Sequence, residues 1–435
     1  MRIITVIAML LLTALTAFSE NRFPKPQFEN GYVIPEPATP AARAVQLDML
    51  DTCVLFLALS LAAWLVLKKR SRRGIFLLTV FSVIYFGFWR KGCICPIGAI
   101  QNVTLSLFDG GYVPPLVAVA FFILPLVFAL LFGRVFCAAV CPFGAIQDLM
   151  ILLPVRVPRS LAAILGLVPH IYLGLAVLYA ATGTAYVICR LDPFVPLFRF
   201  GGDLPIMLTG IGLLILGIFV ARPYCRFLCP YGVLLNWASK VSKWRVTITP
   251  DECVKCRLCE HACPFDAIQV PNAEQPPEKR ATGAGRLGML LCVLPLLVFA
   301  GGLAGSRLDV VFARLNPAVK LVETLSSGDA TTQKAMMNEV EAFGGSGAKK
   351  EDLVAQASAV RKRFRTGGWV FGGFLGAVFG VSLIGASIHR TRDSYEPDRG
   401  TCLSCTRCYT SCPKEHERLK KIGTAAPVRM ETERT

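Results

Sequence analysis

The sequence predicts an α-helical membrane protein of about seven transmembrane helices behind a signal peptide, with a small cysteine-rich α+β module outside the bilayer. Three observations predict this. First, the 435 residues are 54% hydrophobic and only 17% charged, whereas a soluble domain carries about a quarter charged residues. Second, seven continuous apolar runs approach or reach the roughly 20 residues that a spanning helix needs. Third, most of the 17 cysteines fall in tight clusters near the ends of those runs. The net charge of +17 fits basic loops on the cytoplasmic side and bound anions. No nucleic-acid partner is expected; membrane lipid is.

Residues 1–19, MRIITVIAMLLLTALTAFS, have one Arg, an apolar stretch and small residues before Glu20. They read as a signal peptide, or as an uncleaved anchor. Segment 20–48 is rich in Pro and polar residues and reads as an extended external piece. A five-helix membrane core over 49–240 takes the runs 52–67, 74–89, 112–132, 160–182 and 204–221, of which the first two are short. Runs 287–306 and 367–388 form a membrane hairpin over 287–388, with an external helical insert at 307–366. The densest short basic loop, Lys68–Arg73, belongs in the cytoplasm. Counting spans from it puts 133–159, 222–286 and 389–435 on the same side, and 90–111 and 183–203 outside. The expected location is the bacterial inner membrane.

Two cysteine quartets share one spacing. CVKCRLCEHACP at 253–264 and CLSCTRCYTSCP at 402–413 both read C-x2-C-x2-C-x3-C-P. Three close thiolates suit one face of a 4Fe–4S cube, and the fourth ligates the neighbouring cube in two-cluster ferredoxins. Zinc sites use two pairs separated by a longer stretch. Segments 241–286 and 389–435 are therefore expected to be two halves of one cytoplasmic ferredoxin, split by the membrane hairpin. Cys253, Cys256, Cys259 and Cys412 would hold one cube, and Cys402, Cys405, Cys408 and Cys263 the other. Lys255, Arg257 and Arg407 lie between ligands, either as solvated charges or as compensation for cluster charge.

Three Cys-Pro blocks stand apart: RKGCICPIGAIQN at 90–102, GRVFCAAVCPFGAIQDL at 133–149 and RPYCRFLCPYGVLLNW at 222–237. A residue before Pro avoids helical geometry, and Pro is at home in the first turn of a helix. Helices are therefore predicted to start at Pro142 and Pro230, behind Cys141 and Cys229. Cys137, Cys141, Cys225 and Cys229 suit a third 4Fe–4S cluster, with reduced structural thiols as the rival. Arg134 and Arg222 stand three residues before the first Cys and would favour thiolates. The first block departs from the pattern. Cys93 and Cys95, with Cys189, suit an outer metal site completed by Cys53 or a partner; a disulfide is the rival on that side. Cys292, deep in a run, reads as a small apolar residue.

The two standard Cys-Pro blocks followed by both quartets resemble the membrane polyferredoxin family, which includes NapH-type quinol dehydrogenase components and the membrane part of NosR-type proteins. The resemblance covers about 74–270 and 400–415. It implies an electron-transfer subunit without substrate chemistry of its own. Electrons would pass between a cytoplasmic donor or the quinone pool and a periplasmic flavoprotein or reductase. The C-x-C block, the hairpin between the quartets and the short 20–48 segment depart from that pattern. A maturation factor that reduces a metal for a respiratory enzyme, or a redox sensor, is the competing reading.

Overall fold

The computed structural model describes residues 44–92, 96–248, 253–272, 280–327, 340–341, 343–344, 349–388 and 391–421. The signal-peptide expectation falls on 1–19, and Cys93 and Cys95 on 93–95; both lie outside the described residues. The core helices are α1 (Val45–Leu67), α2 (Arg72–Trp89), α3 (Pro96–Phe108), α4 (Leu116–Phe132), α5 (Pro142–Leu149), α6 (Ser160–Ala181), α7 (Leu204–Phe219), α8 (Pro230–Lys240), α9 (Arg280–Ser306) and α10 (Lys350–Ser387).

Five of these, α1, α2, α6, α9 and α10, are long and apolar enough to cross a membrane. The ranking of runs differs from the sequence expectation. Runs 52–67 and 74–89 grow into helices of 23 and 18 residues because α1 starts at Val45 and α2 at Arg72. Runs 112–132 and 204–221 shrink to helices of 17 and 16 residues. Pro114 and Pro115 hold back the start of α4, and Gly133, at φ 75°, stops it.

Helices α9 and α10 pack along their length through glycine. A Cβ at Gly372 would run into the Gly301 carbonyl, and one at Gly368 into that of Gly305. Small residues let helix backbones approach closely where lipid offers no hydrophobic drive. Helix α10 starts at Lys350, well inside the segment expected as an external insert. Gly372→Leu is expected to overpack this seam and cost about 1–3 kcal/mol, read as a lowered unfolding midpoint in detergent. An unchanged midpoint would contradict the close approach.

The Cys-Pro motifs start half-length helices inside the core. Helices α3 and α8 both wedge between α4 and α6. Gly98, in the first turn of α3, shares a cavity with Phe121. The Tyr231 hydroxyl, in the first turn of α8, donates to the Phe122 carbonyl at 2.6 Å. From that common depth the two helices run apart. Asn102 on α3 accepts from the Tyr112 hydroxyl at 2.7 Å. Beyond α8, the Trp244 N–H reaches the Leu131 carbonyl at 2.8 Å. At 1.5 Å per helical residue, the α8 start lies roughly 13 Å inward from the Leu131 end of α4. The third block therefore folds back into the core instead of stopping at its mouth, and residues 135–141 of the second block are buried as well.

Polar contacts fix which groups share an end. Arg70 of the basic loop pairs with Glu415 at 2.7 Å, and Arg72 pairs with Asp148 at 2.6 Å. Arg156 pairs with Glu260 at 3.3 Å, beside the first quartet. Both quartets and the basic loop thus sit at one end. At the start of α1, Arg90 pairs with Asp51 at 2.9 Å, beside the first block.

Candidate iron–sulfur sites

The two quartet loops fold alike. The third and fifth residues of each are left-handed: Lys255 (φ 54°) and Arg257 (φ 64°) in the first, Ser404 (φ 54°) and Thr406 (φ 64°) in the second. Alternating handedness turns successive backbone N–H groups inward, making an anion-binding concavity of the kind found around iron–sulfur groups. Short helices, Leu258–His261 and Arg407–Thr410, carry the third Cys of each loop and touch one another. Strand Ile268–Gln269 pairs antiparallel with Glu396–Pro397. The halves, far apart in sequence, therefore form one module.

Two similar cavities result. One is lined by Cys253, Cys256 and Cys259 together with Cys412. The other is lined by Cys402, Cys405 and Cys408 together with Cys263. Each therefore draws three thiols from one quartet and the last from the other. Among the described residues, no three His, Cys, Asp or Glu side chains converge tightly enough for a single metal ion. Tetrahedral zinc needs such convergence; a four-iron cube is gripped from outside. Burial pushes the Cys402 thiol up to about 12 and Cys259 to about 11. Such thiols ionise when a bound cation supplies the charge.

The Cys-Pro pairs take the predicted local geometry. Pro142 and Pro230 are the first residues of α5 and α8. Cys141 (φ −69°, ψ 117°) and Cys229 (φ −66°, ψ 111°) are extended. Cys137 sits in a single π-helical turn, Phe136–Val140, so it is not one helical turn from Cys141. The four thiols Cys137, Cys141, Cys225 and Cys229 are mutually close enough to interact electrostatically. The Gly232 N–H donates to Cys229 Sγ at 3.3 Å, and Gln147 Nε2 to Cys225 Sγ at 3.4 Å.

The arginines divide the work. Arg134 Nη2 reaches Cys137 Sγ at 3.7 Å, and its Nη1 donates to the Gly400 carbonyl, two residues before the second quartet. Among the described residues Arg222 makes no hydrogen bond to sulfur, though its charge acts on Cys225; it donates to the Cys137 and Ala138 carbonyls and pairs with Asp148. Arg407 also pairs with Asp148, at 3.4 Å, so it is not a solvated charge. The Nε atoms of Arg134, Arg222 and Arg407 are buried without a hydrogen-bond partner. Orphaned buried donors are rare, and these three border the cysteine sets, so the residues fit anionic iron–sulfur groups.

At the other end, Cys189 sits beside the first block. Gln101 Oε1 accepts the Ile188 N–H at 3.0 Å, as Gln147 Oε1 accepts the Tyr224 N–H at 3.1 Å. A Cβ at Gly98 would lie 3.2 Å from Cys189 Sγ. Cys189 thus stands to the first block as Cys225 stands to the second. Asp192 (φ −69°, ψ 113°) repeats the backbone of Cys229 and precedes Pro193. Burial pushes its carboxyl up to about 7. Cys53 is exposed on α1 and does not line this cavity; Cys292 is exposed on α9. The sequence reading passed over Gln101, Gln147, Asp148 and Asp192. The shared PIGAIQN and PFGAIQD held the signal for the first three.

A family model described as a 4Fe-4S binding domain matches residues 114–160 and 203–249, and a second of the same description matches 246–269. The first two matches each pair a short span, α4 or α7, with a Cys-Pro block. An uncharacterized protein of Methanocaldococcus jannaschii is 30% identical over 191 residues, 42% of this chain and 77% of that protein. The YccM protein of Escherichia coli, named for electron transport, is 27% identical over 235 residues, 45% of this chain and 65% of its own. NirI of Paracoccus denitrificans is 34% identical over 87 residues, 19% of this chain and 13% of that protein. No solved structure matches. Helices long enough to span a bilayer, 4Fe–4S binding domains and these relatives agree: the chain belongs to the membrane polyferredoxin family.

Proposed function

We propose that the chain relays electrons across the membrane, between a cytoplasmic donor or the quinone pool and a periplasmic redox partner. The observation that carries this is the pair of matching cavities, each lined by three cysteines of one quartet and the fourth of the other. Cys253, Cys256, Cys259 and Cys412 would hold one 4Fe–4S cluster, and Cys402, Cys405, Cys408 and Cys263 a second. Cys137, Cys141, Cys225 and Cys229 would hold a third. Cys189, with Cys93 and Cys95, is assigned to an outer metal site. When bound, such clusters supply one-electron transfer at potentials tuned by hydrogen bonds and burial. The chain supplies positions: α5 and α8 hold the inner thiols within the core, and the left-handed loops aim N–H groups into the ferredoxin cavities. Lys255 and Arg257 lie on the first ligand loop and would offset cluster charge.

Quinone has a place in this reading. A cleft between α6 and α8 is lined by His170 and Asn236 and reaches Cys225 and Cys229. His170 Nδ1 faces the Gly166 carbonyl at 3.0 Å, which leaves Nε2 for a ligand.

Sidedness is tested by cysteine labelling of the metal-free chain in spheroplasts and inverted vesicles. Cys256 and Cys412 are expected to react from the cytoplasmic side only. Labelling of one from each side would end the split-ferredoxin reading.

A further inference from the structure

The buried carboxylate of Asp148 joins three segments that the proposed relay must hold together. It lies near the end of α5 and is 4% exposed. Three guanidiniums converge on it: Arg72 at 2.6 Å, Arg222 at 3.1 Å and Arg407 at 3.4 Å. They come from the basic loop, the third Cys-Pro block and the second quartet. Burial alone would raise the carboxyl, but these arginines hold it well below the usual carboxylate range.

Arg222 is the cation that matters most. It is fully buried. On one side it donates to the carbonyls of Cys137 and Ala138. On the other its guanidinium lies 5.6 Å from the ring centre of Phe265, which lines the second ferredoxin cavity. Cys225, Cys405 and Cys137 are all within its electrostatic reach. Arg72 donates to the Cys405 carbonyl at 3.3 Å, so the same carboxylate also steadies that ligand loop.

We propose that Asp148 is a positioning residue that holds Arg222 between the inner thiol set and the second ferredoxin cavity, and so sets the reduction potentials of the centres at both. This rests on the reading that clusters occupy those two sites. The physics is simple. A reduced cluster carries one more negative charge, so unbalanced positive charge beside it favours reduction. Taking away the carboxylate leaves three cations facing one another next to both centres.

The test is a redox titration of the purified cluster-loaded protein, followed by electron paramagnetic resonance. Asp148→Asn is expected to keep its iron and raise both potentials by at least a tenfold change in the reduction equilibrium, 59 mV for one electron. The centre at Cys253, Cys256, Cys259 and Cys412 is expected to stay put. Asp148→Glu should restore both values. Unmoved potentials with iron retained, or one equal shift in every centre, would overturn the proposal. Should Asp148→Asn lose iron, Arg407→Gln removes one cation and is expected to lower the second-cavity potential; no shift there overturns it too. Wild-type protein without clusters at these sites would instead sink the relay reading itself, taking the proposal with it.

Discussion

Cys412→Ala is expected to abolish the centre of the first quartet, although Cys412 belongs to the second. The reason is the cavity that Cys412 shares with Cys253, Cys256 and Cys259. Loss of one ligand from a cube should remove about four irons and one resonance signal. Cys256→Ala should remove the same signal. The Cys256→Ala/Cys412→Ala double variant should lose no more iron than either single one, because both residues serve one centre. Cys405→Ala/Cys412→Ala should lose both ferredoxin centres. If each quartet held its own cube, these two results would be exchanged.

Replacing Cys137, Cys141, Cys225 and Cys229 together by Ala is expected to have the largest functional effect. It removes the inner centre and leaves the ferredoxin module, whose own eight thiols are separate. Electrons supplied at the module should still reduce its two centres, but should no longer reach an acceptor on the far side. The hydrocarbon core is about 30 Å thick, and the inner thiols are the described cysteines that stand between the module and the first block. The fold is expected to survive, since Pro142 and Pro230 still start their helices and Asp148 still pairs with Arg222.

What the sequence made legible was local chemistry. C-x2-C-x2-C-x3-C-P spacing pointed to cubes, and Cys-Pro pointed to helix starts, because both depend on neighbours in the chain. Depth was not legible. Hydropathy marks where an apolar run ends, but it does not show that 135–141 is buried or that α3 and α8 start at a common level. Helix limits escaped for a related reason: α1 reaches back to Val45 through Asp48 and Asp51, and Arg90 offsets those charges from a distant segment. The role of Arg222 also depended on a distant partner. Its place three residues before Cys225 suggested a cation that favours thiolates, and it does lie within electrostatic reach of Cys225, but its ion-pair partner, Asp148, stands 74 residues earlier in a repeat unit of its own.

The most direct measurement is a count of iron and acid-labile sulfide in anaerobically purified protein, wild type beside the Cys137/Cys141/Cys225/Cys229 quadruple Ala variant. The expected result is that the variant keeps about eight irons in its ferredoxin module and loses about four, with matching sulfide and one missing resonance signal. Equal iron in the two proteins would contradict the inner centre, and wild-type protein without acid-labile sulfide would contradict the relay as a whole.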